Sequence, residues 1–128
     1  MGKLIELMSE FGVTFLPSNK KKLPLTLISS EVPLGIKYNA GVSAQLKSAV
    51  MLAGLNSNGV TNIVEDKRSR NHTENMLQQS SNVLKIKKNK KNKNHIKIFG
   101  KSYLDPLKVN VGGDPSSAAF FTALTLLV

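Results

Sequence analysis

Residues 42–65, VSAQLKSAVMLAGLNSNGVTNIVE, predict a helix, a turn and a strand in succession. Apolar side chains cover most of the helix circumference in 42–55, which is typical of a buried helix. Ser43 can cap the first turn of this helix, and Asn58-Gly59 marks the turn that follows it. We expect residues 60–65 to form the strand. A buried helix that leads directly into a strand indicates an α/β fold.

Further elements are predicted on both sides of this stretch. Toward the N-terminus we expect a helix over 3–11 ended by Gly12, and strands over 13–15, 23–28 and 34–38. Toward the C-terminus, 71–79 has a helical pattern, and 83–86 and 95–99 alternate apolar and polar residues around a Lys/Asn connector. That arrangement predicts a β-hairpin with a long tip. The strand and helix order favours an α/β architecture of repeated units.

A third unit is predicted to begin with a strand over 107–111. Gly113-Asp114-Pro115 then has the pattern of a helix start, with Asp114 as the N-cap residue and Pro115 as the first helical residue. Residues 116–128 are apolar with a helical period. Because this run stops at Val128 without a cap, and no strand precedes the first helix, we expect both ends of the chain to be cut.

Composition excludes several classes of protein. The 128 residues include no cysteine, so a disulfide framework, a thiolate nucleophile and a Cys-ligated zinc site are excluded. No apolar run reaches the roughly 18 residues of a membrane span, and the N-terminus lacks a signal-peptide pattern. His72 and His95 have no acidic or histidine neighbours of the kind a metal site needs, so no metal is expected. We therefore expect a cytoplasmic protein without membrane association.

The positive charge is concentrated in one segment. Seven lysines lie within 85–97, and without them the formal net charge of +10 falls to +3. Lysines at this density can contact a phosphate backbone, or can form a solvated hairpin tip that resists edge pairing. No aromatic residues interleave with them, so the solvated tip is favoured and nucleic acid is not the expected partner. A basic nucleic-acid-binding module that uses 85–97 is kept as an alternative.

Two predicted helix starts could bind an anion. Residues 41–47 place Ser43, Gln45 and unpaired backbone N–H groups at one start, and Arg68-Ser69-Arg70 precedes the other. If both helices follow parallel strands of one unit, their starts point the same way. Together they could hold a small phosphorylated, hydroxylated ligand. Ordinary helix caps and surface charge are the alternative interpretation of the same residues.

Three blocks resemble a known family. They are SAQLKSAVMLAGL at 43–55, SRNHTENML at 69–77 and GDPSSAAF at 113–120. In order and spacing they are similar to the bacterial EPSP synthase (3-phosphoshikimate 1-carboxyvinyltransferase) family, and the resemblance runs over the whole chain. Asn71 departs from the Asp that is usual in the family's second block, which affects a cap or a local ion pair more than ligand binding.

The resemblance implies an α/β fold of repeated βαβαββ units, part of an inside-out α/β barrel domain of the enolpyruvate transferase type. Residues 1–31 would be the end of one unit, 32–105 a central unit with the Lys-rich hairpin, and 106–128 the start of the next. All three would belong to one domain.

The resemblance also implies a reaction and a site. The family transfers the enolpyruvyl group of phosphoenolpyruvate to the 5-hydroxyl of shikimate 3-phosphate, a step of aromatic amino acid (chorismate) biosynthesis, without a cofactor. By resemblance Ser43, Ala44, Gln45, Ser69 and Arg70 bind shikimate 3-phosphate, and Gln45 also reaches phosphoenolpyruvate. The block at 114–117 carries over as a structural junction.

Much of the family's site has no counterpart here. The family's N-terminal Lys-Ser and Arg, its Gly-Asn-Ala-Gly-Thr loop, and its second-domain Asp base, catalytic Lys and arginines are all absent. We therefore expect no catalytic residue in this segment, an inactive isolated fragment, and a need for the remainder of the same enzyme. A relative of UDP-N-acetylglucosamine enolpyruvyl transferase is the alternative within the same fold.

Overall fold

The computed structural model describes residues 1–17, 19, 21–80, 82–89 and 93–127. Outside these lie Ser18 of a predicted turn, Lys90 and Lys91 of the predicted hairpin tip, and Val128 of the predicted last helix. The elements in chain order are α1 (Gly2–Glu10), β1 (Thr14–Leu16), β2 (Thr26–Ile28), β3 (Lys37–Ala40), α2 (Ala44–Asn56), β4 (Val60–Glu65), α3 (His72–Leu77), β5 (Leu84–Lys88), β6 (Asn94–Phe99) and α4 (Pro115–Leu127).

Four strands form the main sheet in the order β3-β4-β6-β5. β3 and β4 are parallel, with Lys37 opposite Asn62, and β6 is antiparallel to both β4 and β5. Because α2 connects β3 to β4 and α3 connects β4 to β5, the order from β3 to β6 is βαβαββ. The predicted α/β class and the predicted hairpin are thereby confirmed.

One face of this sheet packs against α2 and the other faces outward. Along β4 the residues at 61, 63 and 65 are buried, whereas those at 60, 62 and 64 are more exposed. Val50 and Met51 of α2 have no exposed surface and belong to the same core as Ile63. Gly54 allows the close approach of α2 to the sheet, since a Cβ there would lie 2.9 Å from the Thr61 Cβ.

The N-terminal part adds a helix and a small sheet. α1 packs on α2 and buries Leu7. Gly12 follows the end of α1 at φ 90°, the left-handed region that favours glycine, so the predicted helix end is confirmed. β1 and β2 form a separate antiparallel pair, with Phe15 opposite Leu27.

The strand predicted over 34–38 begins later and ends later, at Lys37–Ala40. Leu34 makes only an isolated bridge to Asn58. At Gly35 the chain passes so close to β4 that a Cβ would lie 2.6 Å from the Val60 carbonyl oxygen. The segment before β3 therefore already runs parallel to the turn that leads into β4, with hydrogen bonds between Gly35 and Asn58 and between Asn58 and Pro33.

The prediction of a strand over 107–111 is wrong. These residues form no strand, and all except the half-buried Leu107 are exposed. A β-strand needs a partner for its backbone groups, and no described strand lies alongside this segment. An apolar alternating pattern was therefore not sufficient to specify a strand.

The last helix begins as predicted. Asp114 Oδ1 accepts from the Ser116 backbone N–H at 3.0 Å, and Asp114 Oδ2 accepts from the Ser117 hydroxyl at 2.6 Å. Pro115 is the first residue of α4. No described residue of α4 is buried. Across the described ranges, no helix combines the length and the apolarity that crossing a membrane requires.

Candidate functional site

The first turn of α2 carries three of the residues predicted to bind a ligand. Ser43 is the N-cap residue, and its Oγ accepts from the Leu46 backbone N–H at 3.4 Å. The predicted cap is confirmed, and the hydroxyl hydrogen of Ser43 can still donate. Ala44 and Gln45 begin the helix, where unpaired backbone N–H groups favour an anion. The Gln45 side chain is exposed, so its amide can contact a ligand.

α2 and α3 begin at the same edge of the sheet. β3 and β4 are parallel and end at Ala40 and Glu65, and each helix follows the strand before it. The predicted alignment of the two starts is thereby confirmed. Asn71 occupies the N-cap position of α3, but its side chain makes no capping hydrogen bond; its Nδ2 donates to the Asn75 Oδ1 at 3.3 Å.

A cavity of about 470 Å³ joins the two starts. Its lining includes Ala44, Gln45, Ser48, Arg70, His72 and Thr73. The hydroxyls of Ser48 and Thr73 lie 2.7 Å apart and link α2 to α3 within this lining. The start of α2, Gln45 and Arg70 therefore lie along one shallow, mostly apolar depression that Ala49 and Leu52 also line. The donors of Gln45 and Arg70 suit a phosphate or carboxylate.

Ser69 lies elsewhere. Its backbone N–H and its hydroxyl both donate to Glu65 Oε1, each at 2.9 Å. It lines a second cavity, of about 430 Å³, on which Glu65 and Glu74 also lie. The structure thus brings Ala44, Gln45 and Arg70 together, whereas the Ser69 hydroxyl hydrogen is engaged by a protein carboxylate.

A buried charge cluster, Lys47, Glu65 and Glu74, lies beneath this site. Lys47 Nζ is 2.8 Å from Glu65 Oε1 and also forms an ion pair with Glu74 Oε1. The three side chains are 1%, 2% and 4% exposed, respectively. Asn94 Nδ2 donates to Glu65 Oε2 at 2.9 Å. The cluster therefore connects α2, β4, α3 and β6 at one point.

Burial and pairing have opposite effects on these charges. Burial disfavours the Glu65 carboxylate, but donors from Lys47, Asn94 and Ser69 outweigh it and lower its pKa from 4.5 to about 2. Burial likewise disfavours the charged form of Lys47, yet hydrogen bonds and attraction to both carboxylates raise its pKa. Both groups are therefore charged at neutral pH.

Sequence reasoning did not find this cluster. Lys47 was considered only as part of the predicted helix start at 41–47, and Glu65 only as the end of the predicted strand over 60–65. A signal was present, since a single lysine in a helix that is otherwise buried needs a buried partner. Glu65 occupies an inner position of β4, which made it a candidate partner.

Three of the described hairpin lysines lie on the outer face of the sheet, together with Lys37 of β3. Lys85 and Lys87 of β5, Lys97 of β6 and Lys37 of β3 are exposed and form the outer lysine face. The ammonium of Lys85 lies 5.4 Å from the centre of the Phe99 ring. None of these lysines lines the cavity between α2 and α3.

Comparisons with known proteins agree with one family. A sequence model described as EPSP synthase (3-phosphoshikimate 1-carboxyvinyltransferase) matches residues 1–128. The protein named 3-phosphoshikimate 1-carboxyvinyltransferase in Brucella abortus biovar 1 (strain 9-941) is 41% identical over 129 residues, covering 100% of this chain and 29% of the relative. That of Parvibaculum lavamentivorans is 41% identical over 128 residues, covering 99% and 28%.

Solved structures give the same result. An EPSP synthase from Acinetobacter baumannii matches with a TM-score of 0.71 and 32% identity over 94% of this chain and 26% of that one. A second structure of EPSP synthase from the same organism matches with a TM-score of 0.70 and 31% identity, over 94% and 27%. The chain spans about 29% of the length of the curated relatives. From the whole-chain match and the shared fold, we conclude that the chain belongs to the EPSP synthase family.

Proposed function

We propose that this chain is a segment of an enzyme that transfers the enolpyruvyl group of phosphoenolpyruvate to the 5-hydroxyl of shikimate 3-phosphate. In that enzyme the segment contributes part of the shikimate 3-phosphate site. The observation that carries the proposal is the shared cavity of Ala44, Gln45 and Arg70, because a helix start and a guanidinium on one concave surface suit a phosphorylated ligand.

Each residue has a role that fits its surroundings. Arg70 is exposed and offers a planar fork of donors to the phosphate. Ala44 leaves the backbone N–H groups of α2 accessible, and Gln45 offers an amide to shikimate 3-phosphate and to phosphoenolpyruvate. Ser43 donates its hydroxyl hydrogen. Ser69 lines the second cavity, so in this proposal the ligand extends to it and uses the Ser69 oxygen as an acceptor, since the hydroxyl hydrogen is donated to Glu65.

The segment does not catalyse the reaction by itself in this proposal. Transfer needs proton transfer and charge stabilisation around both substrates, and the remainder of the enzyme supplies those groups. We expect the 128-residue chain to release no phosphate from the two substrates above background. Phosphate release by the purified chain would overturn this part of the proposal. The division into units at 31/32 and 105/106, and a cytoplasmic location, also stay predictions.

An amide NMR titration of the chain with shikimate 3-phosphate tests the site. We expect shifts at residues 43–45 and at Arg70, and their loss in Arg70→Ala. Lys87→Ala is the matched control, because it also removes one exposed positive charge but lies on the outer lysine face. Shifts with UDP-N-acetylglucosamine and none with shikimate 3-phosphate would favour the related transferase. No shifts with either ligand would contradict the proposed site.

Nucleic-acid binding by the outer lysine face is the competing interpretation. Strand register aligns Lys37, Lys97 and Lys85 in one row across the sheet, with Asn62 between the first two. Binding of a single-stranded oligonucleotide would then weaken with salt, by a log–log slope of about 0.7 per phosphate contacted. Binding that Lys87→Ala weakens and Arg70→Ala leaves unchanged would favour this alternative.

A further inference from the structure

The loop that carries Arg70 has few links to the rest of the molecule. Among the described residues, 66–70 take part in no backbone–backbone hydrogen bond beyond the end of β4. Asp66 forms an exposed ion pair with Lys93, with 2.8 Å between Nζ and Oδ1. Exposed pairs of this kind contribute little to stability. The two part-buried hydrogen bonds from Ser69 to Glu65 therefore hold the β4 side of Arg70, and the Asn71 carbonyl, which accepts from the Asn75 backbone N–H at 3.0 Å, holds its α3 side.

We propose that the buried charge cluster positions Arg70: Glu65, held ionised by Lys47, fixes Ser69 and so directs the next residue's guanidinium into the cavity beside Gln45. This inference rests on the proposed role of Arg70 in binding shikimate 3-phosphate. It makes Glu65 a positioning residue for that ligand, although Glu65 itself does not line the cavity.

The hydrogen bonds at Glu65 require a carboxylate. Oε1 receives donors from Lys47 Nζ, the Ser69 backbone N–H and the Ser69 hydroxyl, and Oε2 receives the Asn94 amide. An ionised carboxylate only accepts, so it satisfies all four donors, whereas a glutamine would place its own NH₂ against one group of them. Glu65→Gln therefore keeps the shape of the side chain, removes its charge and weakens the hydrogen bonds that fix Ser69, because a neutral amide oxygen is a weaker acceptor than a carboxylate.

Lys47 is what keeps this carboxylate charged inside the protein. Three groups face Glu65, namely Lys47 from α2, Glu74 from α3 and Asn94 from β6. Arg68 and Lys88 line the second cavity, on which Glu65 also lies. Glu74 Oε2 is buried and has no hydrogen-bond partner among the described residues. Two buried carboxylates without the ammonium would repel each other, and one of them would take up a proton. The same lysine belongs to the helix whose first turn holds Ala44 and Gln45, so one group ties together both sides of the cavity.

The test is a double-mutant cycle in the 128-residue chain, read as the dissociation constant for shikimate 3-phosphate. We expect Glu65→Gln to weaken binding by about tenfold to a hundredfold, because misplacing a binding group by about 1 Å has effects of that size. Arg70→Ala should weaken binding strongly in the unsubstituted chain and hardly at all in Glu65→Gln. A purely structural role of Glu65 would leave the Arg70→Ala effect unchanged.

Glu65→Asp covers the case in which Glu65→Gln fails to fold. It keeps the buried charge for Lys47 but withdraws the carboxylate by one methylene from Ser69, so the Ser69 amide resonance should move while the core resonances of Ile63 and Ile96 stay dispersed. We expect weaker shikimate 3-phosphate binding in this variant too. Independent, multiplicative effects of the position 65 and Arg70 substitutions would overturn the positioning role alone. Absence of shikimate 3-phosphate binding by the unsubstituted chain would overturn the proposed function and this inference with it.

Discussion

α2 and α4 have the same length and opposite environments. Both have 13 residues, yet α2 buries Lys47, Val50, Met51, Gly54 and Leu55, while α4 buries none. α4 is the more apolar of the two and contains no charged residue, whereas α2 contains a lysine that is fully buried. In the 128-residue chain by itself, apolar composition alone therefore does not bury a helix.

Attachment to the sheet accounts for the difference in burial between α2 and α4. α2 connects two parallel strands and must cross the sheet between them, and Gly54 brings its backbone against Thr61. α4 follows a segment that joins no described sheet, so no described apolar face lies beneath it. Phe120, Phe121 and Leu124 are 80%, 73% and 58% exposed as a consequence. Of these two helices, the buried one is held against a sheet by a strand before it and a strand after it.

The largest expected effect comes from the charged residue of the buried helix. Lys47→Ala leaves the Glu65 and Glu74 carboxylates buried together without a counter-charge, and removing one partner of a buried pair costs about 3–5 kcal/mol. Urea unfolding followed by circular dichroism measures this loss. Lys87→Ala, at an exposed lysine, should change the free energy of unfolding by less than about 0.5 kcal/mol. Equal effects of the two substitutions would mean that the buried pair does not form.

The second effect is that of acid, which should weaken the buried charge cluster. The pKa of Glu65 is lowered in the folded chain from 4.5 to about 2, so its ionisation favours the folded state above pH 4.5. That contribution, roughly 3 kcal/mol, is lost progressively as the pH falls from 4.5 towards about 2. Urea unfolding at a series of pH values measures it. Glu65→Gln should flatten the curve within this window, and an unchanged slope in that variant would assign the pH dependence to other carboxyl groups.

Core truncation compares the two helices directly. Met51 has no exposed surface, and Met51→Ala should cost about 3 kcal/mol through lost burial and a residual cavity. Leu124→Ala in α4 makes a similar change at an exposed position and should alter the free energy of unfolding by less than about 0.5 kcal/mol. Both are measured by the same urea unfolding. A comparable loss at Leu124 would show that α4 packs against the core in solution.

The features that could be predicted from the sequence are those set by local signals, and the features that could not be predicted depend on contacts between distant segments. Local signals were sufficient where one residue determines a boundary, as with the Ser43 cap, the Gly12 helix end and the Asp114-Pro115 helix start. They were not sufficient where pairing between distant segments decides. The pattern at 107–111 is that of a strand, but a strand forms only if a partner lies beside it.

The candidate site could likewise be predicted only in part. The helix start at 43–45 and the segment 68–70 before the second helix were predicted, and their common edge follows from parallel strands. That Ser69 donates to Glu65 was not predicted, because the pattern did not show that Glu65, 4 residues away, is an inward-facing residue of β4. The ion pairs of Lys47 were missed because its partners, Glu65 and Glu74, lie 18 residues and more further along the chain.

The smallest effects come from the helix caps, and they separate local from global stability. Ser43→Ala removes the cap of a helix that is part of the core, so it should lower the free energy of unfolding by about 1 kcal/mol. Asp114→Ala removes a cap with two hydrogen bonds, but from a helix with no buried residue. It should therefore increase amide hydrogen exchange in α4 and leave the exchange of Ile63 and Ile98, deep in the sheet, unchanged. Ser43→Ala should raise amide exchange at Ile63, because its helix is part of the core. If Asp114→Ala raises exchange at Ile63 as well, the two helices are coupled, and α4 contributes to the core that holds the site.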